Sequence, residues 1–287
     1  MKSAPFTYHR PRSVPEALEL KRELGGDARV LAGGQSLMPM MHFRLARPDH
    51  LIDINGLDEL AYVRRQDGRL TVGARTRHAE LLDALDATSS PLLTQAVSWV
   101  GHAQVRHRGT VVGSIAHADP SAEIPAALLA LAGEVTASST RGARTIAAGD
   151  LFAGPFMVSI ADDEIITSVA VPVSAEGTGT AFVELTRIFH GFPVVGVAAL
   201  VHLDGGVVSR ASVGLCGMAA NAVTADVSGL VSSAPTATAI EAVARAAVAD
   251  LDPPADIHGS TRYRKRVCVA LIRRALDEAV ANAGGAR

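Results

Sequence analysis

The sequence predicts an α+β fold made of two domains that differ in strand content. In the first part of the chain, short apolar strands alternate with helical segments as far as residue 172. A polar stretch with two glycines follows at residues 176–179, which is typical of a linker between domains. After it, the chain is rich in long apolar strands and closes with two amphipathic helices. We therefore expect domains at 1–176 and 177–287, and subdomains of the first at about 1–56 and 57–176.

The segments up to residue 100 carry clear start and stop signals. Ser13-Val14-Pro15-Glu16 is a capping box with proline in the first turn, and it predicts a helix that ends at Gly25-Gly26. Asp67-Gly68 between two apolar stretches predicts a hairpin turn. The other apolar patterns predict strands at 29–32, 51–54, 61–65 and 70–74 and helices at 37–45, 77–85 and 92–100.

The rest of the chain is assigned by the same patterns. Asp204-Gly205-Gly206 predicts a hairpin turn between two long strands. The apolar patterns predict strands at 134–139, 144–146, 164–172, 181–187, 194–203 and 207–215 and helices at 121–132, 237–249 and 261–283. The C-terminal domain is therefore expected to contain three strands and two helices.

Composition and charge exclude several classes of protein. A net charge of −2 and 4% aromatic residues predict no nucleic-acid partner, because such partners select basic surfaces and stacking side chains. The apolar runs are too short for a membrane span, and the first residues lack the apolar run of a signal peptide. Cys216 and Cys268 are too few to ligate an iron–sulfur cluster. We expect a cytoplasmic chain.

Two glycine-containing segments are the best candidates for a ligand site. The first is Ala32-Gly33-Gly34-Gln35-Ser36-Leu37, and the second is Arg108-Gly109-Thr110-Val111-Val112-Gly113-Ser114. Each pattern predicts an apolar strand that enters a turn and is followed by a helix. Glycine lets backbone N–H groups face an anion, and a helix N-terminus adds a favourable field. Two such turns that converge would bind a pyrophosphate from both sides, although each alone also fits a tight strand–helix connection.

No other nucleotide motif competes with these segments. The sequence contains neither G-x-G-x-x-G nor G-x-x-x-x-G-K-[ST], and it lacks the G-x-S-x-G elbow of hydrolases. The two segments are therefore the only nucleotide-like candidates in the sequence.

The combination of motifs resembles the FAD-binding medium subunits of the molybdenum hydroxylases, the xanthine dehydrogenase and carbon monoxide dehydrogenase family. Residues 32–37 match the first flavin motif of that family, and residues 104–114 with 116–123 match the second motif and its downstream stretch. Residues 257–264 resemble its C-terminal domain. The resemblance implies a two-subdomain FAD-binding fold of the vanillyl-alcohol-oxidase (PCMH) type, followed by a small α+β C-terminal flavoprotein domain.

The resemblance also implies which residues hold FAD. Residues 32–36 and 110–114 would take the pyrophosphate and ribityl hydroxyls, and Glu123 would face the ribityl or ribose part. Arg187 and Phe192 would approach the isoalloxazine. The implied cofactor-binding residues are Leu31, Ala32, Gly33, Gly34, Gln35, Ser36, Leu37, Val100, Thr110, Val111, Gly113, Ser114, Ala118, Glu123, Ile165, Ile166, Arg187 and Phe192. No catalytic residue and no metal ligand is expected in this chain.

Two positions depart from the family pattern. Val112 stands where the second motif has its first glycine, and a β-branched residue does not readily take a positive φ. Gly191 stands where the family has an aspartate. These departures keep open an alternative in which the chain is an assembly subunit with the flavin fold but without catalytic FAD. A second alternative is a stand-alone flavin oxidase with its own substrate pocket.

The function that the resemblance implies is electron transfer within a heterotrimeric molybdenum-containing hydroxylase. A large molybdopterin subunit would hydroxylate the substrate, and a small subunit would pass electrons through [2Fe–2S] clusters to FAD in this chain. A dimer of heterotrimers is expected. Gly33→Val or Gly113→Val should then lower the flavin content and leave the fold largely intact, because each adds a side chain where a phosphate should lie.

Overall fold

Strands and helices alternate through residues 2–84 and 90–284, which are the residues described by the structure, a computed structural model. The strands are β1 (Thr7–His9), β2 (Ala28–Leu31), β3 (His50–Asp53), β4 (Val63–Gln66), β5 (Arg69–Gly73), β6 (Glu134–Ser139), β7 (Gly142–Ala147), β8 (Phe152–Gly154), β9 (Met157–Val158), β10 (Ile165–Pro172), β11 (Thr178–Thr186), β12 (Pro193–Asp204), β13 (Val207–Cys216) and β14 (Val223–Ala225). The helices are α1 (Val14–Leu24), α2 (Leu37–His42), α3 (His78–Ala84), α4 (Pro91–Trp99), α5 (Ala103–Arg106), α6 (Val111–His117), α7 (Glu123–Ala130), α8 (Ala148–Leu151), α9 (Ala237–Ala249) and α10 (Thr261–Gly284).

The first sheet has three parallel strands in the order β1-β3-β2. Helix α1 begins after Ser13, whose hydroxyl accepts a hydrogen bond from the Glu16 N–H at 3.3 Å, and it ends at Gly25 with φ +52°. The capping box and the glycine stop were both predicted. Because β2 ends at Leu31, the first glycine-containing segment leaves the sheet at a strand end.

The second sheet has five strands in the order β4-β5-β10-β6-β7, and all its pairings are antiparallel. The predicted hairpin turn at Asp67-Gly68 is confirmed, with φ values of +51° and +72°. Positive φ at both central residues is the requirement of a type I′ turn. Strand β10 lies at the centre, and its Ile165, Ile166, Val169 and Val171 join the main apolar core.

The C-terminal sheet has four strands in the order β11-β12-β13-β14 and lies between two helical layers. Helices α9 and α10 pack on one face, where a Cβ on Gly179 would overlap the Ala279 carbonyl of α10. Helix α7 packs on the other face, where a Cβ on Gly214 would overlap the Ala126 carbonyl. Both glycines therefore allow a helix backbone to approach a strand backbone closely.

The structure corrects three local predictions. The apolar strand expected before the second turn is absent from the described residues, because residues 103–106 form α5 and the two valines at 111 and 112 lie in α6. Thr178 and Gly179 of the expected linker begin β11, and β14 adds a fourth strand to the C-terminal sheet. Short helices and strands whose stability depends on tertiary contacts leave little pattern in the sequence. The predicted helix end at Leu85 lies outside the described residues.

Within the described ranges, no helix combines the length and the apolar character needed to cross a membrane.

Candidate cofactor-binding site

The two glycine-containing segments lie against each other. A Cβ on Gly33 would lie 2.5 Å from the Arg108 carbonyl oxygen and 2.6 Å from Gly109 Cα. These distances are too short for any side chain, so glycine at position 33 is required by the neighbouring backbone. His78 lies on the other side of Gly109, and both of its ring nitrogens are buried without a hydrogen-bond partner in the described residues. Burial, with repulsion from Arg106 and Arg77, lowers the pKa of His78 to about 4. The predicted convergence of the two segments is therefore present.

The first segment presents backbone donors without protein partners. The N–H groups of residues 33–36 make no hydrogen bond within the described part of the chain. Gly34 has φ +69°, and Ser36 precedes α2 without using its hydroxyl as a cap. Successive free N–H groups in a turn form a concave binding site for an anion. This donor set fits a diphosphate.

The second segment forms the start of helix α6, and its Thr110 hydroxyl already has a hydrogen-bond partner. Thr110 Oγ1 accepts a hydrogen bond from the Gly113 N–H at 3.1 Å and caps α6. A Cβ on Gly113 would lie 2.5 Å from that oxygen, so glycine at 113 leaves room for the cap. Val112 lies in the first turn of α6 and is 3% exposed. Position 112 is therefore helical, and the β-branched side chain meets no positive φ there.

These contacts change the effect that is expected of the variants Gly33→Val and Gly113→Val. A side chain at position 33 would overlap the backbone at residues 108–109, and one at 113 would overlap the Thr110 hydroxyl. These overlaps count against the expectation that Gly33→Val and Gly113→Val leave the fold largely intact, most strongly at position 33, where the overlapped atoms are backbone. Both variants would perturb the protein before any phosphate is considered.

A polar network that the sequence reasoning missed joins the two segments. Asn55 Nδ2 donates to the Ala32 carbonyl at 2.8 Å, and the Arg77 guanidinium donates to Asn55 Oδ1 and to the Arg108 carbonyl. A signal was present in the sequence, because Asn55 directly follows a predicted strand and Arg77 begins a predicted helix. Polar side chains at such ends commonly bond to neighbouring turns.

A further residue that the sequence reasoning missed lies beside Glu123, where α7 meets the C-terminal sheet. Glu123 is 7% exposed, and burial raises its pKa to about 7, with a smaller contribution from Asp119. Glu184 of β11 has both carboxyl oxygens buried without a partner in the described residues, and burial with repulsion from Glu123 raises its pKa to about 8. The two carboxyls also help burial raise the pKa of the Cys216 thiol. A glutamate inside an apolar strand pattern was the available signal.

The remaining apolar site candidates occupy different parts of the fold. Val111, Ile165 and Ile166 are core residues with exposed fractions of 4% or less. Val100 is half-buried at the end of α4, where its carbonyl accepts a hydrogen bond from Arg106 at 3.1 Å. Ala118 is buried with φ +50° at the end of α6. Of these five residues, Val100 is the one that is partly exposed.

The loop between β11 and β12 exposes a cluster of large apolar side chains. Phe192 is 78% exposed, and Ile188 and Phe189, which sequence reasoning did not name, are 70% and 72% exposed. His190 Nδ1 lies 3.2 Å from the Trp99 carbonyl, which ties the loop to α4. A Cβ on Gly191 would lie 2.5 Å from Ile188 Cγ1, so glycine at 191 permits the tight turn of this loop.

Arg187 begins the same loop, and its side chain extends toward the segment before α10. Its guanidinium donates to the Ile257 carbonyl at 3.4 Å. Together with His258 and Tyr263 it lines a cavity of about 420 Å³. Arg187 and Phe192 therefore belong to the same loop, but Arg187 lines this cavity, whereas Phe192 is one of the exposed apolar side chains.

Comparisons with known proteins identify the family of both halves of the chain. Residues 4–174 match the family described as the FAD binding domain in molybdopterin dehydrogenase. Residues 180–279 match the CO dehydrogenase flavoprotein C-terminal domain. The FAD-binding fold and the C-terminal flavoprotein domain expected from the resemblance are thereby confirmed.

Full-length relatives agree with these matches. The subunit alpha of the 6-hydroxypseudooxynicotine dehydrogenase complex of Paenarthrobacter nicotinovorans is 40% identical over 98% of this chain and 96% of its own length. The carbon monoxide dehydrogenase medium chain of Hydrogenophaga pseudoflava is 36% identical over 96% of each chain. A solved structure of carbon monoxide dehydrogenase from the same organism, which lacks the Mo-pyranopterin moiety, has a TM-score of 0.95 at 36% identity and covers 98% of this chain and 99% of that one. The chain therefore belongs to the FAD-binding medium subunits of the molybdenum-containing dehydrogenases, a family of oxidoreductases.

Proposed function

We propose that this chain is the FAD-carrying electron-transfer subunit of a cytoplasmic, heterotrimeric molybdenum hydroxylase. A large molybdopterin subunit hydroxylates the substrate, a small subunit passes electrons from its [2Fe–2S] clusters to this chain, and an external acceptor removes them. The trimers associate as a dimer. The observation that carries the proposal is the contact of Gly33 with residues 108–109, since it joins the two glycine-containing segments into one binding surface.

In this proposal the backbone of the first segment holds the diphosphate, because the N–H groups of Val111, Gly113 and Ser114 in the second segment already have protein acceptors. The free N–H groups of residues 33–36 donate to one side, and the first turn of α6 faces the other side. The Ser36 and Ser114 hydroxyls make no hydrogen bond within the described residues and are available as further donors. Leu31, Ala32 and Leu37 keep this backbone in place at the end of β2 and the start of α2.

The other proposed contacts divide by chemistry. Glu123, with a pKa near neutrality, both accepts and donates hydrogen bonds and suits the ribityl or ribose hydroxyls. Val100, with Ile165 or Ile166, forms apolar walls. Arg187 and Phe192 approach the isoalloxazine from the loop after β11. FAD supplies the redox chemistry when it is bound, and the protein supplies binding and orientation.

Several observations support a multi-subunit assembly. The relatives are named as the medium chain of one dehydrogenase and as a subunit of another dehydrogenase complex. Cys216 and Cys268 are separately buried free thiols, so neither is presented as a ligand to an iron–sulfur centre. Electrons from such a centre therefore have to arrive from another chain. The division into domains at 1–176 and 177–287 remains a prediction.

Purification of this chain with an affinity tag from its native host tests the proposal. We expect a large molybdopterin subunit and a small subunit with iron and sulfide to co-purify, with one FAD for each copy of this chain. A colourless chain that co-purifies with both partners would establish the assembly-subunit alternative. A yellow chain that purifies alone and oxidises a substrate would establish the stand-alone oxidase. The helical position of Val112 supports the flavin-carrying alternative, because valine is an ordinary residue in a helix.

A further inference from the structure

Arg77 connects the two segments of the proposed FAD site through its side chain. One terminal nitrogen of the guanidinium donates to the Arg108 carbonyl, and the other donates to Asn55 Oδ1. A guanidinium offers several donors in a fixed plane, so two acceptors bound to it are held at a fixed spacing. Arg77 therefore determines how far Arg108 lies from Asn55.

The Asn55 end of this connection is part of the first segment's support. Asn55 Nδ2 donates to the Ala32 carbonyl at 2.8 Å and to Asp53 Oδ1 at 2.6 Å, and the Asn55 N–H donates to the same Asp53 oxygen at 2.8 Å. These bonds fix the orientation of the amide, because the nitrogen has two acceptors and the oxygen faces the Arg77 donor. Asp53 is itself held by the Tyr8 hydroxyl. The Asn55 amide thus links Arg77 to the Ala32 carbonyl through two successive hydrogen bonds.

The Arg108 end lies at the closest point between the two segments. The Arg108 carbonyl that Arg77 binds is the oxygen that a Cβ on Gly33 would meet at 2.5 Å. The backbone around Arg77 is also tied to the second segment, since His78 N–H donates to the Gly109 carbonyl at 3.0 Å and Val111 N–H donates to the Thr76 carbonyl at 3.3 Å. Arg77 is thus anchored on the second segment and reaches the first.

The charge of Arg77 suits an anion at this place. Burial lowers the pKa of Arg77, as do the nearby Arg108 and Arg75, whereas Glu80 and Asp53 raise it. Arginine stays charged under these conditions, so a half-buried cation with cationic neighbours stands beside the free N–H groups of residues 33–36. The guanidinium charge of Arg77 therefore favours an anionic ligand close to these N–H groups.

We infer that Arg77 is a positioning residue that holds the two segments at the spacing a diphosphate requires. The inference rests on the proposed FAD site and adds a residue to it. Arg77 acts through Asn55 and the Arg108 carbonyl. Replacement of Arg77 therefore lowers the affinity for ligands that contain a diphosphate more than it lowers the stability of the flavin-free protein.

Titrations of the full-length, flavin-free chain test this inference, with Arg77→Met, Arg77→Lys and a control variant, Arg75→Met. Arg75 also bonds Asn55, since its Nε donates to the Asn55 carbonyl at 2.8 Å, but its guanidinium pairs with Asp58 and not with the second segment. We expect Arg77→Met to lower the affinity for FAD and for ADP at least about tenfold, and to lower the affinity for riboflavin, which has no phosphate, far less. Arg75→Met should change FAD affinity by no more than about twofold.

Arg77→Lys separates positioning from charge. Lysine keeps the charge but cannot bind both acceptors in one plane, so we expect it to recover less than half of the lost affinity in free-energy terms. The double variant Arg77→Met/Asn55→Ala should bind FAD no more weakly than the worse single variant, because both changes break one connection. Asn55→Ala alone tests the connection from the other end if Arg77→Met does not fold.

The outcomes separate the inference from the proposed function. A wild-type chain that does not bind FAD would overturn the proposed function together with the inference. A wild-type chain that binds FAD, with Arg77→Met unchanged or Arg77→Lys fully restored, would overturn the inference alone. A loss of thermal stability in flavin-free Arg77→Met with equal weakening of riboflavin and FAD would show a merely structural role and would also overturn it.

Discussion

Two polar regions of this molecule contain unpaired hydrogen-bonding groups of opposite kinds, donors in one region and acceptors in the other. At residues 33–36 the backbone N–H groups have no partner in the described chain. Between α7 and the C-terminal sheet, it is the carboxyl oxygens of Glu184 that are buried without a partner, beside Glu123. The first region is therefore a set of donors, and the second is a set of carboxyl groups.

This difference determines how each region responds to its surroundings. A backbone N–H cannot change its protonation, so the donor region suits an anion at any ordinary pH. A buried carboxyl takes up a proton instead of remaining charged, which is why the pKa values of Glu123 and Glu184 are raised to about 7 and about 8. The polarity of the first region is thus independent of pH, whereas that of the second depends on it.

Gly33→Ala is expected to have the largest effect, because it separates the donor region from its neighbour. The added Cβ would overlap the Arg108 carbonyl and Gly109 Cα, and these backbone atoms cannot avoid the overlap by a change of rotamer. We expect the free energy of unfolding to fall by about 1–3 kcal/mol and FAD content to fall at least about tenfold. Flavin absorbance per protein and urea unfolding measure the two effects. Gly149→Ala is the control, since a Cβ there meets nothing within 4 Å; equal behaviour of the two variants would contradict the contact.

Glu184→Gln tests the pH dependence of the carboxyl region. The folded pKa of about 8 lies above the ordinary value of 4.5, so the folded chain binds more protons than the unfolded chain between these values. Stability therefore falls as pH rises through that window, and glutamine removes this fall. Above pH 8 we expect the variant to be more stable than wild type by about 1–3 kcal/mol, a value reduced for solvent screening.

Glu164→Gln is the control with the opposite sign. The hydrogen bond from Arg144 lowers the pKa of Glu164, so its contribution to stability is present above the ordinary pKa and is lost as pH falls. Urea unfolding across the pH range measures both variants. A Glu184→Gln variant that shows the same pH dependence as wild type would refute the assignment of a raised pKa.

Thr110→Val and Ser36→Ala give the smallest effects and compare the two segments directly. The Thr110 hydroxyl caps α6, so its removal should cost the flavin-free chain about 1 kcal/mol. The Ser36 hydroxyl has no cap role, so its removal should leave flavin-free stability unchanged and weaken FAD about threefold to tenfold. Calorimetry and flavin fluorescence titration measure both quantities. Loss of stability in Ser36→Ala would show that this hydroxyl has a structural role.

Elements with strong local signals were predictable. The Ser13 cap, the Asp67-Gly68 turn and the two C-terminal helices agree with the structure because capping, turn chemistry and helical periodicity depend on residues adjacent in the chain. Helix α5 and strand β14 were missed, since short elements are stabilised by tertiary contacts that a local pattern does not contain. For Val112, the family comparison drew attention to a missing glycine where the local backbone is an ordinary helix.

The sequence by itself determined the α+β pattern, the order of the longer helices and strands and the two glycine-containing segments, because all of these follow from periodicity and from residues close together in the chain. Only the tertiary structure decided that Gly33 faces the Arg108 carbonyl, that Arg77 spans both segments and that Glu184 lies beside Glu123. Each of these pairs is far apart in sequence. Their contact depends on how strands and helices pack around the core, and a local sequence pattern contains no information about that packing.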